Sequence, residues 1–333
     1  MPPDQSGLPV IDVGALRDGG DARHDVATRI AAACREVGFF YVVGHGVDEA
    51  LQAELVEQSR RFFARAVAAK CEIAMARGGR AWRGYFPVGG ELTSGRPDRK
   101  EGIYFGEELP RAHPLVAAGT PLHGPNLFPE DMPRLRAVVL AYMREMTALG
   151  HVLLRGIALS LGLGEDELTK RFTASPLTLF RIFNYPAPRA GEDVSAWGVG
   201  EHTDYGFLTI LKQDDAGGLE VESRSGWIEA RPIAGSFVCN IGDMLDRMTR
   251  GRYRSTPHRV RNRSTCDRLS FPFFFDPGWD ARIRPLDDDG TAVPDDRARR
   301  WDRASVHDFD GTYGEYVLRK VAQVFPGLGR DVL

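Results

Sequence analysis

The segment Asp267–Asp276, DRLSFPFFFD, reads as a buried β-strand, yet it carries an arginine at Arg268. In a strand, successive side chains point to opposite faces. One face would be apolar and consist of Leu269, Phe271, Phe273 and Phe275. The other would consist of Arg268, Ser270, Pro272 and Phe274. A guanidinium and a hydroxyl on one face of such a strand indicate that this face is solvated or lies opposite an anion.

Size and composition are those of an ordinary globular protein. The 333 residues are 43% hydrophobic and 27% charged, which is enough for a sizeable core in one large domain or two smaller ones. The formal net charge of -3 shows no bias toward nucleic acid or anionic lipid, so neither is an expected partner. Composition does not predict the oligomeric state.

Cysteine usage and the first residues predict a cytoplasmic protein. The start, MPPDQSGLPV, lacks a basic segment followed by an apolar one, so we expect no secretory signal. No apolar run approaches the roughly 20 residues of a membrane helix. Four cysteines lie far apart without a CxxC pair, which is typical of reduced structural thiols; they are Cys34, Cys71, Cys239 and Cys266.

The first half of the chain is mostly helical by periodicity. A first amphipathic helix carries Val26, Ile30, Cys34 and Val37 on one face, and a second carries Leu51, Leu55, Phe62 and Ala66. Between them, FFYVVGHGV predicts a short buried strand. The longest helical pattern spans 130–161, with a proline near its start, where proline is tolerated.

The second half is rich in short β-segments. The runs LTLFRIFNYP, FLTILKQ, GGLEVE, GWIEA, SFVCNIGDM and RLSFPFFFD are separated by Gly, Asp, Asn and Pro. This spacing predicts an antiparallel jelly-roll barrel. We therefore divide the chain into a helical region (1–174), a jelly-roll core (175–280), and a charged loop with a closing helix (281–333).

Three residues in the β-rich half form a candidate metal site. In GEHTDYGFLT, His202 and Asp204 are two apart, so in extended backbone both point to the same side. Downstream, STPHRV supplies His258, and Arg268 and Ser270 follow. Two imidazoles and one carboxylate are typical of non-haem Fe(II) oxygenases, whereas Mg²⁺ or Ca²⁺ would require more carboxylates. A lone HxD is a weak signal, but this ordered combination is far more specific.

With these motifs the chain resembles the Fe(II)/2-oxoglutarate-dependent dioxygenase superfamily, in its isopenicillin N synthase-like branch. The amino-terminal segments LPVIDV, VGFFYVVGHGV, RGYFPVGGELTSGRPDRKEGIYFG and LHGPNLFP are similar to the helical domain of that branch. The segments NYP, EHTDYGFLT, GGLEV, NIGDML, STPHRV and RLSFPFFF are similar to its double-stranded β-helix. The resemblance thus covers nearly the whole chain.

The resemblance implies a role for each motif residue. His202, Asp204 and His258 would be the catalytic iron ligands, and Arg268, Ser270 and Tyr185 would hold 2-oxoglutarate. Fe(II), 2-oxoglutarate and O2 would be required, with ascorbate as a further candidate cofactor. Decarboxylation of 2-oxoglutarate would be coupled to hydroxylation, desaturation or cyclisation of a small organic molecule. The expected substrate pocket consists of Tyr104, Phe105, Arg181, Phe183, Leu219 and Val221.

Two alternatives stay open at this point. The chain could oxidise its substrate with O2 and without 2-oxoglutarate, in which case Arg268 and Ser270 would bind the carboxylate of the substrate. It could also be a metal-binding barrel without oxygenase activity, although the intact set of motif residues argues against this.

Overall fold

The structure is a computed structural model that describes residues 7–188, 197–286, 296–300 and 302–325. Its strands are β1 Val10–Asp12, β2 Phe39–Val43, β3 Gly84–Phe86, β4 Glu101–Gly106, β5 Leu177–Tyr185, β6 Val199–His202, β7 Leu208–Gln213, β8 Leu219–Ser223, β9 Gly226–Glu229, β10 Phe237–Ile241, β11 His258–Val260 and β12 Arg268–Asp276. Its α-helices are α1 Gly14–Asp18, α2 Arg23–Glu36, α3 Glu49–Phe63, α4 Val67–Lys70, α5 Pro114–Ala117, α6 Pro133–Ser160, α7 Glu167–Phe172, α8 Asp243–Met248 and α9 Tyr313–Val324. Short 3-10 helices cover Cys71–Ile73, Met75–Ala81, Thr93–Gly95 and Arg297–Arg299.

Two sheets form the β core. The large sheet has eight strands in the order β1-β2-β10-β7-β12-β5-β4-β3, and the small sheet has four in the order β6-β11-β8-β9. Within the described residues no ladder joins the two sheets, so the jelly roll is a pair of sheets that is not closed into a barrel. The predicted jelly-roll class is confirmed, and a cavity lies between the two sheets.

The amino-terminal region contributes strands as well as helices. FFYVV is the predicted short strand, β2, and it pairs with β10. In addition, β3 and β4 extend the large sheet at its other edge, where β4 pairs with β5. Every residue of β4 is buried, so its sequence lacks the alternation of polar and apolar residues by which a half-exposed strand is recognised. These strands were missed in a region that we expected to be helical.

The long helix α6 supports the back of the large sheet. It begins with Pro133 and contacts α2, α3 and β12. Gly150 allows close approach, because a Cβ atom there would lie 2.5 Å from the ring of Phe275. Within the described residues, α6 is also the one helix long and apolar enough to cross a membrane, a property that core helices share. The predicted helices α2 and α3 are present too, although α3 ends at Phe63, before Ala66.

The two faces of β12 have the environments that alternation predicts. Leu269, Phe271, Phe273 and Phe275 are fully or almost fully buried in the core. The opposite face lines the cavity between the sheets with Arg268, Ser270, Pro272, Phe274 and Asp276. Since Arg268 has 0% relative exposure, its guanidinium is not solvated from outside. Of the two alternatives, the burial of this cation favours an opposing anion.

Helix α9 closes one side of the cavity. It starts with a capping box, in which the Thr312 hydroxyl accepts from the backbone amide of Glu315 and the Glu315 carboxylate accepts from the amide of Thr312. The Tyr313 hydroxyl donates to Asp276 Oδ2 at 2.5 Å, which ties the helix to the end of β12. The side chains that α9 and the next residue present to the cavity are Tyr313, Val317, Val321, Val324 and Phe325.

Candidate active site

The cavity between the sheets encloses about 1090 Å³, part of which is open to solvent. Its walls come from both sheets, from the segment around β4, and from α9. Concave sites with a few convergent polar groups are typical of small-molecule binding. All six residues to which the sequence assigned iron or 2-oxoglutarate line this one cavity: His202, Asp204, His258, Arg268, Ser270 and Tyr185.

The two histidines are brought together by strand pairing. His258, the first residue of β11, lies directly opposite His202, the last residue of β6. Their ring centroids are 4.2 Å apart, and the ring of Phe39 packs edge-on against His258. The pairing of β6 with β11 therefore makes neighbours of two residues that are far apart in the sequence.

Asp204 reaches the histidines from a loop, not from a strand. The strand β6 ends at His202, so the expectation of an extended HxD segment holds for the histidine only. The loop is fixed to α8, whose Asp243 amide donates to the Asp204 carbonyl at 2.8 Å. Asp204 Oδ1 lies 3.9 Å from His202 Nε2 and 3.8 Å from His258 Nε2.

Hydrogen bonds fix the orientation of each of these three side chains. The Nδ1–H of His202 donates to the Gly200 carbonyl at 2.8 Å, and that of His258 donates to the Thr256 carbonyl at 3.1 Å. This hydrogen bond selects, for the neutral form of each ring, the tautomer in which Nε2 carries no proton. Both Nε2 atoms are turned toward Asp204. Burial, followed by the proximity of His202, lowers the pKa of His258 to about 4, so its ring is neutral at physiological pH.

The donor set of this cluster fits a divalent transition metal. The three ligand atoms lie within 4.8 Å of one another. Asp204 Oδ2 already accepts from Thr209 Oγ1 at 2.5 Å and from Asn240 Nδ2 at 2.7 Å, which leaves Oδ1 for an ion. Two imidazoles and one carboxylate on one side of an ion suit Fe(II) and leave positions for other ligands.

Arg268 is a buried cation that has no counter-charge among the residues that the structure describes. Its Nε donates to the Gly217 carbonyl at 2.5 Å, and its Nη2 makes a long contact of 3.4 Å with Gln213 Oε1. Its Nη1 is buried and has no hydrogen-bond partner in the described part of the chain. An unpaired donor on a buried guanidinium is costly, which indicates that an anionic ligand completes the site.

Two hydroxyl groups flank this guanidinium. Tyr185 lies opposite Arg268 in the pairing of β5 with β12, and the Arg268 Cζ atom is 4.8 Å from its ring centroid. The Ser270 hydroxyl donates to the Tyr185 hydroxyl at 3.3 Å. The three side chains together offer several donors to one carboxylate, so the residues present fit 2-oxoglutarate.

The expected substrate pocket is only partly the observed one. Tyr104, Arg181, Phe183 and Leu219 line the cavity. Phe105 and Val221 do not. Phe105 stacks on Phe128 and Phe180, on the other side of its strand. Val221 is fully buried on β8 beside His258, but it is not among the lining residues.

Sequence reasoning missed a charged network and the wall formed by α9. Lys100 forms ion pairs with Glu91 at 2.8 Å and with Asp98 at 2.6 Å, and the Tyr104 hydroxyl donates to Glu91 at 2.6 Å. Glu91 and Lys100 line the cavity. The apolar positions 313, 317 and 321 at helical spacing could have indicated the buried face of α9, but not what it covers.

Two family profiles match the chain. The profile described as non-haem dioxygenase in morphine synthesis N-terminal matches residues 8–131. The profile of the 2OG-Fe(II) oxygenase superfamily matches residues 178–277, which include every residue of the candidate iron and 2-oxoglutarate sites.

Similar proteins cover almost the whole chain. A probable iron/ascorbate oxidoreductase of Dictyostelium discoideum is 48% identical over 98% of this chain and 97% of its own length. A homoarginine-6-hydroxylase of Arabidopsis thaliana is 36% identical over 98% of this chain and 99% of its own length. Among solved structures, a full-length Neurospora crassa protein in complex with alpha-KG has a TM-score of 0.77 at 25% identity, covering 95% of this chain and 96% of that one.

Proposed function

Because this chain belongs to the 2OG-Fe(II) oxygenase superfamily, we propose that His202, Asp204 and His258 hold its Fe(II). We further propose that Arg268, with Ser270 and Tyr185, binds the distal carboxylate of 2-oxoglutarate. The enzyme is an oxidoreductase that uses Fe(II), 2-oxoglutarate and O2. On the sequence motifs, the isopenicillin N synthase-like branch is the finer assignment that we propose.

One observation carries the residue assignment. The buried, unpaired Nη1 of Arg268 and the cluster of His202, Asp204 and His258 line the same cavity. A molecule with a chelating end and a distal carboxylate would satisfy both. 2-Oxoglutarate has these two ends, since its keto acid can bind a metal and its second carboxylate can accept from a guanidinium.

The residues of the chain bind and orient the reactants. The carbonyls of Gly200 and Thr256 hold the two imidazoles in the tautomer that leaves Nε2 free. Thr209 and Asn240 restrict Asp204 to one available oxygen. The Arg268 guanidinium fixes the far end of 2-oxoglutarate, and α9 limits the access of water to the cavity.

The chemistry that Fe(II) supplies when bound is the activation of O2. In the overall reaction, 2-oxoglutarate, O2 and a substrate C–H group yield succinate, CO2 and a hydroxylated substrate, so succinate and the hydroxylated substrate each take one oxygen atom of O2. The name of the homoarginine-6-hydroxylase describes such an oxidation of a small organic molecule. We propose hydroxylation as the default outcome here, with desaturation and cyclisation as variants of the same oxidation.

The test uses the whole purified chain. Anaerobic addition of Fe(II) and 2-oxoglutarate should produce a stoichiometric, weak visible absorbance, and air should then release succinate slowly without substrate. His202→Ala and Asp204→Ala should abolish both, because each removes one of three metal ligands. Ascorbate is tested as an additive, since the name of the Dictyostelium relative includes it.

A matched control is Glu167→Gln on α7, which removes a carboxylate from an exposed ion pair with Arg171. It should retain the absorbance and the turnover. Wild-type turnover in Asp204→Ala would refute the iron assignment. Oxidation of a substrate without consumption of 2-oxoglutarate would favour the oxidase alternative. Metal binding with neither substrate oxidation nor succinate release would favour a metal-binding protein without oxygenase activity. The cytoplasmic location and the three domain boundaries stay predictions.

A further inference from the structure

Most of the buried lysines and arginines among the described residues are compensated by a carboxylate or by several hydrogen bonds. Seven are buried in the described part of the chain: Lys70, Arg83, Lys100, Arg181, Arg268, Arg300 and Lys320. Four of them form ion pairs with buried or half-buried carboxylates, namely Lys70, Lys100, Arg300 and Lys320. Arg83 donates to three backbone carbonyls and to Asn126. The remaining two, Arg181 and Arg268, both line the cavity.

The contacts of Arg181 within the described residues include no ion pair with a carboxylate. It is only 8% exposed, and no ion pair within the described residues involves it. Its Nη1 donates to the carbonyls of Phe105 and Phe180, at 3.3 Å in both cases, and its guanidinium lies 3.5 Å from the ring centroid of Tyr104. Burial lowers the pKa of Arg181, which is the direction expected for a cation removed from water without full compensation.

Arg181 is too far along its strand to serve the same ligand as Arg268. The residue opposite Arg268 is Tyr185, and Arg181 precedes Tyr185 by four residues on the same face of β5. Four residues of strand span roughly 13 Å. A five-carbon diacid held by Arg268 and chelated at the metal cluster cannot also reach this position. The cavity therefore has two separate positions at which a buried arginine forms no ion pair within the described residues.

The residues around Arg181 indicate the size and polarity of the rest of its ligand. Phe183, Phe274 and the α9 side chains Val317 and Val321 supply apolar wall in the same cavity. Glu91 and Asp276 lie near enough to influence Arg181 electrostatically, but Glu91 is held by Lys100 and Asp276 accepts from the Tyr313 hydroxyl. A compact molecule with one anionic group and a hydrocarbon portion matches these walls.

We propose that Arg181 binds the carboxylate of the substrate that the enzyme oxidises, and that the substrates of this enzyme are small carboxylic acids. The inference rests on the proposed function, because it assumes that Arg268 is occupied by 2-oxoglutarate. Arg181 is then a specificity-determining residue. The alternative is that Arg181 has only a structural role, in which its guanidinium stacks on Tyr104 and contacts no ligand. The experiment must exclude this alternative.

The first measurement is thermal stability of the metal-free protein. Replacing an unpaired buried cation with an uncharged side chain of similar length removes a desolvation cost. Arg181→Met should therefore melt no more than about 2 °C below the wild type. A fall of more than about 5 °C would show that the guanidinium stabilises the fold, and would overturn the assignment.

The second measurement is substrate-stimulated succinate release. The probes are small aliphatic and aromatic carboxylic acids and L-amino acids, each paired with its primary amide. In the wild type an acid should exceed its amide by about 100-fold in kcat/KM, because the amide leaves a buried cation unpaired. Arg181→Met should lose this preference, and Arg181→Lys should keep part of it, since lysine retains the charge without the planar fork.

Several results would overturn the proposal. They are an amide as effective as its acid, a panel in which no acid stimulates release, and an Arg181→Met variant that keeps the preference. A variant whose KM for 2-oxoglutarate rises as much as its KM for the acid would assign Arg181 to the co-substrate instead. A different result would refute the proposed function itself, namely a wild-type protein that gives no absorbance with Fe(II) and 2-oxoglutarate.

Discussion

Replacing Arg268 with alanine tests the least exposed part of the site. In the protein alone this guanidinium has no counter-charge, and its Nη1 has no partner among the described residues. Its charge is therefore compensated only when the ligand is bound. We expect Arg268→Ala to impair binding of 2-oxoglutarate while leaving the stability of the ligand-free protein nearly unchanged.

The magnitude follows from the burial of the pair. Removing one partner of a buried charge pair typically costs about 3–5 kcal/mol, because the other charge is left unpaired. At about 1.4 kcal/mol for each factor of ten, this predicts an increase of at least about 100-fold in the KM for 2-oxoglutarate. Arg268→Lys should lose less, since it keeps the charge but cannot form two parallel hydrogen bonds.

The assay is a steady-state titration of 2-oxoglutarate with succinate as the readout. It is accompanied by anaerobic titration with Co(II), which reports metal binding independently of turnover. Metal affinity should survive in Arg268→Ala, since none of the candidate ligands contacts the guanidinium. Arg171→Ala is the matched control, because Arg171 forms an exposed ion pair with Glu167 on α7, and such pairs contribute less than about 1 kcal/mol.

Two results would refute this reasoning. An unchanged KM for 2-oxoglutarate would mean that the carboxylate binds elsewhere. A parallel loss of Co(II) binding and of melting temperature would mean that Arg268 holds the cavity together.

Three further predictions concern the supports of the site. Thr209→Val should weaken Co(II) binding by about 10–100-fold, because Asp204 loses the hydroxyl that orients it; equal affinity in an anaerobic titration would contradict this. Gly206→Ala should lower the free energy of unfolding by about 1–3 kcal/mol, because its Cβ would lie 1.6 Å from Asp276 Oδ1; an unaltered denaturation midpoint would argue against it. Burial raises the pKa of Asp276 to about 7, so between about pH 4 and 7 the folded state keeps a proton that the unfolded chain releases. The contribution of this proton to the free energy of unfolding therefore falls as pH rises through that window. The stability of Asp276→Asn relative to the wild type should accordingly rise by a few kcal/mol between pH 4.5 and 7.5. A stability difference between the two proteins that stays constant with pH would show that folded Asp276 does not keep this proton.

Local patterns account for the parts of the fold that were predicted correctly. Alternation along β12 identified which face is apolar, and helical periodicity identified α2, α3 and α6. These signals depend only on near neighbours in the chain, since side-chain direction repeats every two residues in a strand and every 3.6 in a helix. The strand β4 escaped detection because both of its faces are buried, which removes the alternation.

The residue types of the candidate site led us to predict its chemistry before the fold was known. The types and order of His202, Asp204, His258 and Arg268 were sufficient to predict a metal cluster and an anion site, because few other combinations of side chains serve that chemistry. Family membership, which the profiles and relatives show, agrees with that prediction.

Which residues face one another became visible only in the folded chain. Asp204 reaches the cluster from a loop, α9 closes the cavity, and Arg181 is buried with no ion pair to a carboxylate in the described part of the chain. Whether a charge is paired depends on every group around it, including groups remote in the chain. That information exists only when the sheets are assembled, because pairing and desolvation act across space and leave no periodic trace in the sequence.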